Sequence, residues 1–155
     1  MAEKSLKICY GLMSGFILLM AFNNCFAKPQ IKAIQAKLFY QNTGKFSEDV
    51  FTTPSDLWNV MFDYVSSTLV IIEIEGGESG LNNQKLEVTA NYIPFEGSKR
   101  PITVRKSSPL LFDEQGKSYT PFWIDNVGCH PVKISAQIKG QKTIMRKTIN
   151  FGCGE

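Results

Sequence analysis

The stretch that most constrains this chain is STLVIIEIEG, residues 67–76. Val70, Ile72 and Ile74 fall on one side of an extended chain, with Glu73 and Glu75 on the other. A helix would scatter these side chains around its axis, whereas a strand sends successive ones to opposite faces. The next run, QKLEVTANY, repeats the pattern: Leu86, Val88, Ala90 and Tyr92 alternate with Glu87, Thr89 and Asn91. Both read as half-buried strands. The turn-rich GGESGLNNQ between them suggests a hairpin.

Other strands follow the same logic. IKAIQAKLFY places Ile34, Ala36, Leu38 and Tyr40 on one face, and QNTGK supplies a turn after it. PITVRK and SYTPFWID are shorter, and Pro121 makes the second an edge or bulged strand, because proline gives no N–H to a ladder. Turn residues recur at short spacing. The expected fold is therefore an all-β antiparallel sandwich of about seven or eight strands, immunoglobulin-like or C2-like. One segment departs from the β period. TTPSDLWNVMFDYV sets Leu57, Trp58, Met61, Phe62 and Val65 at helical spacing, with Thr53 as cap, Pro54 at the first helical position and Asp56 as the capping-box acid. This predicts a short helix near 54–62.

The first residues read as an address. Lys4 and Lys7 precede an uncharged run from Ile8 to Phe22, and Cys25 and Ala27 follow at the spacing of a cleavage site. These are the parts of a secretory signal peptide spanning 1–27, with one domain over 28–155. Retention as an anchor is disfavoured by Asn23 and Asn24, which cut the apolar run short of a bilayer. Lipidation at Cys25 is disfavoured by the Phe-Asn-Asn before it. The expected location is periplasmic or extracellular, with membrane contact only if this segment is kept or lipidated.

Export decides the cysteine chemistry. Beyond the leader only Cys129 and Cys153 remain, and in an oxidising compartment they are expected to pair. The last two runs support this. Val132, Ile134, Ala136 and Ile138 alternate, as do Met145, Ile149 and Phe151 with Lys147 as an exception. Gly140-Gln141 between them suits a two-residue turn with glycine at its first central position. Residues paired across that turn have numbers adding to 281, whereas the cysteines add to 282. One bulge near Pro131, which has no N–H, would absorb the difference.

Composition and motifs narrow the function classes. Outside the leader 15 basic and 13 acidic side chains are interspersed. No basic run of the kind used on nucleic acid appears. The one histidine, His130, sits between Cys129 and Pro131; adjacent ligands on an extended chain point apart, so no metal site is expected and a surface histidine is. Nucleotide, nucleophile-elbow and zinc-protease motifs are missing, and no cofactor or catalytic residue is assigned. Asp113, Glu114 and Asp125 are the acids an acid–base pair would use, yet FDEQGKSY reads first as a solvated turn around Gly116. Glu73 and Glu75 read as a charged outer face.

Tyr119, Phe122 and Trp123 are the candidate interface residues. On a strand one ring of Phe122-Trp123 faces in and the other out, where a loop covers it or a partner does; cover by a loop is the favoured reading. PLLF, 109–112, poses the same choice between buried strand and exposed patch. The expected function is a non-catalytic binding domain held by one disulfide, with another protein or an envelope component as partner. The alternatives are a carboxylate-dependent hydrolase of an envelope glycan and a structural or fibre subunit, for which residues 28–38 would be the donor strand.

Overall fold

The computed structural model describes residues 28–53, 58–59, 65–95 and 99–152. Among them lie ten strands and no helix. They are β1 (Gln30–Tyr40), β2 (Lys45–Phe46), β3 (Trp58–Asn59), β4 (Val65–Glu75), β5 (Gly80–Tyr92), β6 (Ile102–Phe112), β7 (Lys117–Asp125), β8 (Val132–Ile138), β9 (Ile144–Ile149) and β10 (Phe151–Gly152). Two four-stranded antiparallel sheets, β2-β1-β4-β7 and β6-β5-β8-β9, give a sandwich-like all-β fold.

The alternation read from the sequence is the alternation observed. Ile34, Ala36 and Leu38 of β1 and Val70, Ile72 and Ile74 of β4 are buried. From the second sheet Leu86, Val88 and Ala90 of β5 and Val132, Ile134 and Ala136 of β8 meet them in one core. Tyr92 adds a polar tie between the sheets, its hydroxyl donating to the Asp125 carbonyl at 2.9 Å.

Two connections differ from the sequence reading. The 67–75 and 85–92 runs do not form a hairpin. β4 pairs with β1 and β7, while β5 pairs with β6 and β8, so the intervening turn crosses from one sheet to the other. Turn residues alone do not distinguish a hairpin from such a crossing, since both need only a reversal. Nor is the helix near 54–62 seen. Trp58–Asn59 is a short strand lying parallel to β10, and 54–57 and 60–62 lie outside the described residues. Pairing with a distant strand overrides a local helical period.

The last hairpin keeps the expected register: Val132 opposes Ile149 and Gln137 opposes Ile144. Its turn is wider. The Gln141 N–H donates to the Ile138 carbonyl at 3.0 Å. Gly140, with φ of 87°, thus takes the second central position, as in a type II turn, not the first. β8 begins just after Pro131, where the ladder was expected to loosen.

Edges are guarded. Pro121 lies on β7 and Pro109 on β6, each at the rim of its sheet. β5 breaks register between Asn82 and Lys85, opposite Pro109. Along the outer rim of β1 the chain after β2 supplies side-chain acceptors. Ser47 Oγ takes the Leu38 N–H at 3.0 Å and Asp49 Oδ1 takes the Ala36 N–H at 2.9 Å. Lys147 points inward on edge strand β9, its ammonium 5.1 Å from the centre of the Phe51 ring. Inward charges and prolines on rims discourage further strands from adding.

Candidate functional site: the outer face of the first sheet

The outward face of β2-β1-β4-β7 changes character along its length. At one end it is ionic. Lys117 Nζ lies 3.9 Å from Glu73 and 3.6 Å from Glu75, and Lys32 lies 3.4 Å from Glu75. Tyr119, which is 54% exposed, directs its hydroxyl to Glu73 at 3.5 Å. Beyond this the β4–β7 side of the face turns apolar, with Gln35 and Lys37 of β1 beside it. Register sets Ile71 beside Pro121 and Leu69 beside Trp123. Trp123 is 46% exposed and its ring lies 5.9 Å from that of Phe46, which in turn lies 5.3 Å from Phe39.

The candidate interface residues therefore divide. Tyr119 and Trp123 share this outward face. Phe122, at 2% exposure, does not belong to it; it points into the core with Thr120 and Ile124, because successive residues of a strand face opposite ways. Strand β2, through Phe46, lies against Trp123 and leaves it half open. The sequence reading missed Leu69, Ile71, Phe39 and Phe46. A signal was present in the unbroken apolar run from Leu69 to Ile72, which a one-sided strand does not need. PLLF divides as well: Leu110 and Phe112 are buried, while Leu111 is 65% exposed beside Leu81.

Asp113 Oδ1 accepts the N–H groups of Gln115 and Lys117 at 2.9 and 2.8 Å, so it shapes the turn. At Asp125 it is the main-chain carbonyl, not the carboxylate, that accepts from Tyr92. The depression beside the start of β1, lined by Lys28, Gln30, Ile31 and Lys117, includes one carboxylate, Glu75. Among the described residues no three His, Cys, Asp or Glu side chains gather as a metal site would require. His130 is exposed and Cys129 half-buried; Cys153 lies outside the described residues. Of residues 28–38, the candidate donor strand, those from Gln30 onward pair with β4 in their own sheet.

Comparison with protein-family models finds no match, and neither does comparison with curated proteins.

Proposed function

We propose that this chain is an exported, non-catalytic binding domain, locked by a Cys129–Cys153 disulfide, that docks a protein or envelope component on the outer face of its first sheet. The observation that carries the reading is the half-open Trp123 ring, continuous with Leu69, Ile71 and Phe46 and bordered by Tyr119 and an ionic rim. Aromatic anchors within a polar border are what protein interfaces use for binding energy. Export rests on the leader-like 1–27 segment. Support for the disulfide comes from the last hairpin. Val132, which opposes Ile149, comes three residues after Cys129, and Ile149 comes four before Cys153 in the sequence. Strand order supports an immunoglobulin-like reading. The first, second and fifth long strands share one sheet, and the third, sixth and seventh lie adjacent in the other; the fourth sits beside the third instead of the fifth.

Two measurements test this. Protein recovered from outside the cytoplasm should weigh about 2 Da less than its reduced form, and a product with two free thiols would end the disulfide. Cross-linking in an envelope extract should recover one partner with the native chain and lose it with Ile71→Asp or Trp123→Ser, both still folded. Recovery of the same partner by all three, or of none by the native chain, would reject this docking face.

A further inference from the structure

The second sheet carries a different surface. Its outward rows are set by register. One row runs Arg105, Thr89, Ser135, Arg146 across β6, β5, β8 and β9, and the next places Asn91 beside Lys133. Arg105, Lys133 and Arg146 are exposed, and none forms an ion pair among the described residues. On the other side of the arginine row runs Ser107, Glu87, Gln137, Ile144, and Glu87 is the one acid in the three rows. With strands ~4.8 Å apart, the two arginines bracket about 14 Å of sheet. The space between is floored by half-buried Thr89, Ser135 and Asn91, whose amide already donates to Thr103 Oγ1 at 2.9 Å.

We infer that this face binds a linear acidic polysaccharide. Guanidinium groups hold carboxylate or sulfate through paired, charge-assisted hydrogen bonds. The hydroxyl and amide floor suits a chain rich in hydroxyls. Single-stranded nucleic acid is disfavoured, since its sites use aromatic stacking platforms and these rows hold no ring. A bilayer is disfavoured too, because surface adsorption wants apolar side chains interleaved with the cations. Only Ile144 meets that description, at 37% exposure; the protruding Leu81 and Leu111 lie at the far end, next to loops bearing Glu78, Asp113 and Glu114. The inference does not depend on the first sheet.

The test uses the full chain at low salt, with polygalacturonate and dextran sulfate as probes and neutral dextran as control, read by calorimetry or affinity electrophoresis. The expected result is binding to the acidic polymers, none to dextran, and weakening as salt shortens the reach of charge. The R105E/R146E double variant should lose about tenfold or more in affinity, and R105Q/R146Q somewhat less, at unchanged unfolding midpoints. Trp123→Ser should bind as the native chain does. The inference is overturned if neither acidic polymer binds, if dextran binds equally, or if both arginine variants bind like the native chain. Tighter binding to single-stranded DNA or phosphatidylglycerol vesicles would also overturn it.

Discussion

Replacing Thr68 by valine should make this protein more stable. Thr68 sits on the inward face of β4, opposed by Leu38 on β1 and Ile124 on β7, and is 0% exposed. Its hydroxyl has no hydrogen-bond partner among the described residues. An unbonded buried hydroxyl costs about 1–3 kcal/mol by protein mutational data. Valine has nearly the same shape and suits a strand equally well, so the substitution removes the penalty without opening a cavity. A gain of about 1–2 kcal/mol is expected, or a Tm rise of ~4–8 °C for a domain of this size. Thermal and urea unfolding of the native chain and Thr68→Val would measure it, with an unchanged m-value guarding against a change in the unfolded state. Thr68→Ser, which keeps the hydroxyl and loses a methyl, should be destabilised by about 1 kcal/mol. If Thr68→Val is less stable than the native chain at equal m, the hydroxyl is bonded after all and the reasoning fails.

Three further outcomes are expected. Tyr92→Phe should lose about 1 kcal/mol with the bond to Asp125. Burial, then the Asp125 charge, hold the Tyr92 pKa above its usual 10.0; the native chain is therefore at full stability below that pH and loses stability as pH rises through the raised value, a loss absent in the variant and visible in urea titrations at alkaline pH. At Gly128 an added Cβ would lie 2.4 Å from the Ile93 carbonyl oxygen. Gly128→Ala should therefore cost about 1–3 kcal/mol by differential scanning calorimetry, and a neutral result would mean this backbone yields freely. Asp49→Ala, which strips the acceptor from the Ala36 and Phe51 N–H groups, should cost about 1.5–3 kcal/mol; Asp49→Asn, which keeps an acceptor oxygen, should cost less, with hydrogen exchange at Ala36 faster in both.

What the sequence determined by itself is the period-two alternation of β1, β4, β5 and β8 and which side of each is buried. Val70, Ile72 and Ile74, or Leu86, Val88 and Ala90, carry that information locally, because the period of two is a property of the extended backbone and solvent does the sorting. The edge position of Pro121 was legible for the same kind of reason: a missing N–H is a local fact with a global consequence. Partnership between strands was not legible. Nothing in GGESGLNNQ says whether the chain returns beside itself or crosses to the other sheet, and the 54–62 segment bore a helical period that the pairing of Trp58 with Phe151 overrode. Both candidate surfaces belong to this second class. Leu69 meets Trp123, and Arg105 lines up with Arg146, only because register brings together residues far apart along the chain. A face is made across strands, so it comes into being when the sheet closes.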